Sequence, residues 1–268
     1  MARLPRLPDL LTTANLACGV GSILLASQGE LTAACWLVFA AAVFDVFDGL
    51  AARALGGGSP LGAQLDSLAD MVSFGVAPAF ALFTTASVLS GITTGWTAYP
   101  PFSVVLEQVG ASAWPVFTAA IVLVIASCWR LAKFNLDTRQ TSGFLGLPTP
   151  SNGLFWVSMT LGSTGVAVHP GPGHDQLIGI ARSVLGSPVV LLALALVLAG
   201  LMLSELPLPS LKFKHFRWPG NQVIYLLAGL GAVLVVLYGI LAVPMILVLY
   251  LLSPMWGRLF KPQVARDT

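Results

Sequence analysis

Apolar runs, each about as long as a bilayer is thick, alternate with short polar or glycine-rich breaks along almost the whole chain. A helix needs about 20 predominantly apolar residues to cross the hydrocarbon core. The runs predict helices near Leu10–Ser27, Leu31–Leu55, Leu61–Leu89, Ala113–Phe134, Pro148–Val168, Leu185–Ser204, Gln222–Tyr238 and Gly239–Trp256. Eight spans is the reading adopted. Six or seven are the alternatives, because Pro244 can mark a kink in one long final helix instead of a separate span.

Composition agrees with that pattern. The 268 residues are 56% hydrophobic and only 9% charged, against about 25% charged in a soluble domain. The mean hydropathy is +0.87. The fold class expected is therefore an all-α polytopic membrane protein. Arg3 and Arg6 before the first run invite a signal-peptide reading. Thr12, Thr13 and Asn15 interrupt the run and a second span follows at once, so a retained first helix is expected. Cys18, Cys35 and Cys128 fall in apolar runs without metal-ligand spacing and read as buried thiols.

Charge placement sets the expected orientation. With the N-terminus in the cytoplasm, every lysine and arginine except Arg182 lies inside, and Gly91–Ser112, free of both, lies outside. Segment 205–220 mixes Leu206, Leu208, Phe213 and Trp218 with Lys212, Lys214 and Arg217. It reads equally as an interfacial amphipathic element or as a basic loop. The chain thus divides into a core over 1–204, that connector, and C-terminal helices with a short tail over 221–268.

Candidate chemistry is concentrated between residues 45 and 70. The pattern is Asp45-x2-Asp48-Gly49-x2-Ala52-Arg53-x8-Gly62-x3-Asp66-x3-Asp70. Residues three and four apart share a helix face. Asp45, Asp48, Gly49, Ala52 and Arg53 form one stripe at the end of the second helix. Gly62, Asp66 and Asp70 form another at the start of the third. A short connection makes the two helices antiparallel neighbours, so both stripes can face one cavity. Carboxylates are costly in a membrane, and Arg53 alone does not neutralise four. The all-oxygen set points to Mg2+ or Mn2+, one or two ions. Gly49, Ala52 and Gly62 leave room for a flat ligand against the backbone. Ser59-Pro60 suits a helix start, with the free N–H groups open to phosphate as well.

This full pattern resembles the CDP-alcohol phosphotransferases. The resemblance implies a six-helix membrane bundle, usually dimeric, here extended by about two C-terminal transmembrane helices. It implies transfer of a phosphatidyl-type group from a CDP-linked lipid to an alcohol, with release of CMP. On the same grounds Asp45, Asp48 and Asp66 would hold metal. Asp70 would complete the metal site and act as general base, and Gly49, Arg53 and Ser59 would contact the CDP-lipid. Thr12-Thr13-Ala14-Asn15-Leu16-Ala17-Cys18-Gly19, Arg130-Leu131-Ala132-Lys133-Phe134-Asn135 and Phe144-Leu145-Gly146-Leu147-Pro148-Thr149-Pro150 are similar to segments of bacterial and archaeal membrane-integrated phosphatidylserine synthases. That narrower likeness implies CDP-diacylglycerol and L-serine as substrates and a homodimer in the cytoplasmic membrane. No nucleic-acid partner is expected.

Arg130 and Lys133 are candidates for the serine carboxylate or the lipid phosphates, or else positive-inside anchors, as Arg139 is. Asn15 either contacts the nucleotide or bonds a neighbouring helix. Glycerol 3-phosphate and inositol phosphate are the alternative acceptors, and a cation transporter the alternative class. His169 and His174 flank a Pro-Gly loop and read as ordinary loop residues. Gly19-x-Gly21 reads as close helix packing, not a dinucleotide fingerprint.

Overall fold

The computed structural model describes residues 6–57, 59–92, 113–136, 144–166, 168, 170, 173–209 and 221–256. Arg139, His169, most of the 205–220 connector and most of Gly91–Ser112 lie outside them. Helix α1 (Leu7–Ser27) starts with Asp9 accepting from the Arg6 N–H at 2.9 Å. It turns at Gly29, φ 85°, into α2 (Leu31–Ala54), and the two pack along their length. Gly56 and Gly57, at φ 87° and 111°, end α2 in a conformation that other residues rarely adopt.

Ser59 then caps α3 (Pro60–Asp70), its Oγ accepting from the Gly62 N–H at 2.9 Å, with Pro60 in the first turn. The rod continues through a π-helical turn (Met71–Val76) into α4 (Ala77–Leu89). Pro78 stands just past that turn. It has no N–H to give the carbonyl a turn earlier, and a π turn is one way for a helix to absorb such a break. Three close approaches seat the turn. Gly19 of α1 lies against Ser73, where a Cβ would come within 2.8 Å of the Ser73 Cα. A Cβ on Gly153 would lie 2.7 Å from the Phe74 carbonyl oxygen, and one on Gly75 would lie 3.1 Å from Ser127. The expected role of Gly19 in helix packing is thus seen directly.

Helix α5 (Trp114–Leu136) follows. A short antiparallel pair, β1 (Phe144–Leu145) with β2 (Pro207–Leu208), clips the chain ahead of α6 (Thr149–Ser163). Helix α6 is the centre of the bundle, buried over most of its length and packed against α2, the π turn and α4. Its interior faces mix large apolar side chains such as Trp156 and Leu161 with small polar ones such as Ser158 and Thr160. Outward faces carry Leu24, Val46, Trp129 and Val189, all more than half exposed, as suits lipid contact.

The span count, two of the expected spans and the cysteines differ from expectation. Among the described residues, five helical stretches are long and apolar enough to cross a membrane, or six if one bent pair counts as a span, not eight. The expected span Pro148–Val168 is α6, only 15 residues, about 22 Å. The expected span Leu185–Ser204 is α8 (Pro188–Leu203), which meets α7 (His174–Gly186) at 89°. The stretch Gln222–Pro254 is continuous by length yet folded back. Gly231 in α9 (Gln222–Tyr238) faces Ile246 in α10 (Ala242–Trp256), where a Cβ would stand 3.3 Å from the Ile246 Cδ1. Along one continuous helix those residues would be about 22 Å apart. The turn is at Gly239, φ 60° and ψ −131°, the boundary expected between the last two helices; the alternative of one long helix kinked at Pro244 is not what forms. Leu241 seats on Gly162 and docks this hairpin on α6. The cysteines differ too: all are free thiols, but only Cys35 is buried, while Cys128 is exposed on the outside of α5.

Candidate active site

Helices α1, α2 and α3 build the site at one end of the bundle. The last three turns of α2 present Asp45 and Asp48, and α3 presents Asp66. Carboxylate oxygens of these three lie within 4.8 Å of one another. Asp48 is only 6% exposed. Among the described residues no lysine or arginine is ion-paired to any of them. Three buried or half-buried like charges this close repel strongly unless a cation joins them. The donor set is all oxygen, which fits a hard divalent ion.

Asp70 stands one turn deeper, outside that triplet and within electrostatic reach of all three carboxylates. Asn15 Nδ2 donates to its Oδ1 at 3.1 Å. Ser73 Oγ donates to the Asn15 carbonyl oxygen at 3.0 Å, so the π turn and α1 hold Asp70 from two sides. Of the two roles expected for Asn15, the structure shows a bond to a neighbouring helix, and its partner is the site's own carboxylate.

A cavity of about 190 Å3 opens beside Asp48 and Asp66. Gly49, Ala52, Ser59 and Gly62 line it, so the backbone of α2 and the start of α3 form its walls. Arg53 is exposed near its rim, with a guanidinium nitrogen 3.7 Å from where a Gly49 Cβ would sit. Gly62 lets α1 approach closely: a Cβ there would lie 3.0 Å from the Asp9 Oδ1 and 3.1 Å from the Ser59 Oγ.

Three lining residues were not singled out by the sequence. Arg6, Asp9 and Thr12 project from α1 into the same cavity. Thr12 Oγ1 donates to Asp48 Oδ2 at 2.7 Å, with the Pro8 carbonyl a second acceptor at 3.0 Å. Their signal is a polar residue every third position, 6, 9, 12 and 15, entering an otherwise apolar helix.

Arg130 and Lys133 do not line this cavity. Arg130 is 5% exposed, donates from Nε to the Leu147 carbonyl at 3.3 Å and stacks on Phe134. Lys133 Nζ reaches the Leu203 carbonyl at 3.3 Å, a cation on the last turn of α8. Both tie α5 to the segments around it.

A family profile described as CDP-alcohol phosphatidyltransferase matches residues 6–163, which contain the whole site. The chain belongs to the CDP-alcohol phosphatidyltransferase family. It is thus a membrane transferase of phospholipid biosynthesis. A CDP-diacylglycerol--serine O-phosphatidyltransferase of Helicobacter pylori strain J99 is 30% identical over 230 residues, covering 85% of this chain and 81% of that protein. The enzyme of the same description from Bacillus subtilis is 30% identical over 58% of this chain and 75% of its own length. An archaetidylserine synthase of Methanothermobacter thermautotrophicus is 36% identical over 54% of this chain and 53% of its own. Among solved structures, Mycobacterium tuberculosis phosphatidylinositol phosphate synthase with CDP-DAG bound is 20% identical, with a TM-score of 0.41 over 72% of this chain and 86% of that one.

Proposed function

We propose that the enzyme transfers the phosphatidyl group of CDP-diacylglycerol to L-serine and releases CMP. The observation that carries this reading is the convergence of Asp45, Asp48 and Asp66, with no lysine or arginine ion-paired to them among the described residues, beside a backbone-walled cavity. Serine as acceptor rests on the relatives from Helicobacter pylori and Bacillus subtilis that carry that activity in their descriptions.

Each residue has a physical task in this reading. Asp45, Asp48, Asp66 and Asp70 would hold Mg2+ or Mn2+. Such an ion would supply charge neutralisation and Lewis acidity. Gly49, Ala52 and Gly62 admit the flat nucleotide against the backbone. The capped start of α3 offers free N–H groups to a phosphate oxygen, and Arg53 adds positive charge at the rim. Asp70 accepts the serine hydroxyl proton while Asn15 fixes the orientation of its carboxylate. The serine oxygen attacks the phosphorus that bears diacylglycerol, that phosphorus–oxygen bond to CMP breaks, and CMP leaves. The aspartate end faces the cytoplasm of a homodimer in the cytoplasmic membrane, with the acyl chains in lipid.

Purified protein given CDP-diacylglycerol, labelled serine and Mn2+ or Mg2+ should form labelled phospholipid, and Asp70→Asn should not. CMP release only with another alcohol would keep the family chemistry and remove serine from it.

A further inference from the structure

A second polar cavity lies at the opposite end of the bundle. It holds about 450 Å3 among the α1–α2 turn, the end of α4, the end of α6 and α7. Glu30 and Arg182 line it together with Thr32 and Thr164, above Leu31 and Leu89. From Glu30 to Asp48 the chain climbs α2 for about 27 Å, close to the thickness of a hydrocarbon core. This cavity is therefore separate from the aspartate site and near the other membrane surface.

Its two charges, Glu30 and Arg182, are both exposed at the cavity and open to a ligand. Arg182 donates Nε–H to the Ser163 carbonyl at 2.7 Å, which fixes α7 across the end of α6. The terminal nitrogens of its guanidinium have no protein partner among the described residues, and neither does the Glu30 carboxylate. One cation and one anion thus share a cavity without pairing to each other. Helix α7 buries Ile178, Ala181 and Leu185 against the bundle and leaves Ile180 56% exposed. It runs at 89° to α8, with apolar surface still open beside the polar cavity.

We propose that this cavity binds the phosphate–ammonium headgroup of a phospholipid from the leaflet opposite the active site. Arg182 takes the phosphate in a charge-assisted contact, Glu30 takes the ammonium, and the acyl chains run down past α7. A headgroup with a phosphate but no ammonium leaves Glu30 unanswered and facing like charge.

The test is native mass spectrometry of the full-length protein in detergent. The probes are phosphatidylethanolamine and phosphatidylglycerol with identical tails, and soluble O-phosphoethanolamine as competitor. The wild-type protein should retain phosphatidylethanolamine over phosphatidylglycerol by about tenfold. Glu30→Gln should erase that preference, and Arg182→Gln should weaken retention of both lipids. Transferase activity should persist in both variants, which reports that they are folded. Equal retention of the two lipids by wild type, or unchanged retention in both variants, overturns the proposal. Displacement of the lipid by equimolar O-phosphoethanolamine overturns the lipid as its source.

Discussion

Asn15 on α1 donates its side-chain N–H to Asp70 on α3 across 3.1 Å, and both residues are buried. A buried hydrogen bond to a charged group is worth about 1.5–3 kcal/mol, and here it orients a carboxylate already crowded by three others. The first helix is therefore a supporting wall of the site as well as a membrane anchor.

From that bond follows the first prediction. Asn15→Leu should lower kcat by about 10- to 100-fold, the rate equivalent of losing such a bond. The KM for CDP-diacylglycerol should change little, because Asn15 does not line the cavity. Steady-state kinetics with each substrate varied in turn checks this. A large rise in that KM with kcat unchanged would instead make Asn15 a nucleotide contact.

Thr12 supports Asp48 in the same way, through the 2.7 Å bond to Oδ2. Partners that orient metal ligands typically change metal affinity by 10- to 100-fold when removed. Thr12→Val keeps the shape and removes the donor. It should raise the Mn2+ concentration needed for half-maximal activity by about tenfold, while Thr12→Ser should stay near wild type. Chelation should abolish turnover in all three proteins, and added Mn2+ should restore it.

How far the sequence announced this molecule depends on whether the signal was local. The Asp45–Asp70 stripes were legible because carboxylates in apolar helices stand out and helical spacing puts them on one face. Ser59-Pro60 was legible because capping is a matter of adjacent residues. The bend between α7 and α8 was only half legible: Gly186-Ser187-Pro188 is a helix-start signal like Ser59-Pro60, but the 89° angle between the helices is set by tertiary packing. The π turn at Met71–Val76 was not legible, since the apolar run continues unbroken there and only Pro78 hints at a change. Arg6, Asp9 and Thr12 look like an ordinary polar helix start. Their place in the cavity depends on how α1 leans on α3, and Gly62 permits that approach only in three dimensions.

Packing of the π turn gives a stability prediction. A methyl group added at Gly19 would press on the Ser73 side chain and backbone, and backbone cannot yield as a long side chain does. Overpacking of this kind costs about 1–3 kcal/mol. Gly19→Ala should therefore lower the thermal unfolding midpoint in detergent by several degrees. Gly200→Ala, at a helix position with no neighbour within 4 Å, should leave it unchanged or raise it.

The C-terminal hairpin makes the sharpest geometric claim. Gly231 and Ile246 are in contact here, whereas a single kinked helix would hold them about 22 Å apart. A disulfide needs Cα atoms within about 7 Å. In a background with Cys18, Cys35 and Cys128 replaced by alanine, the pair Gly231→Cys and Ile246→Cys should cross-link on mild oxidation. A Gly231→Cys and Pro254→Cys pair should not, because the shorter return past Gly239 brings residue 246 opposite residue 231 and carries residue 254 about 12 Å further along α10. Mass spectrometry of a proteolytic digest, before and after reduction, reads both outcomes. Failure of the first pair to close in folded, active protein would restore one long spanning helix and move the final turn of the chain to the other side of the membrane.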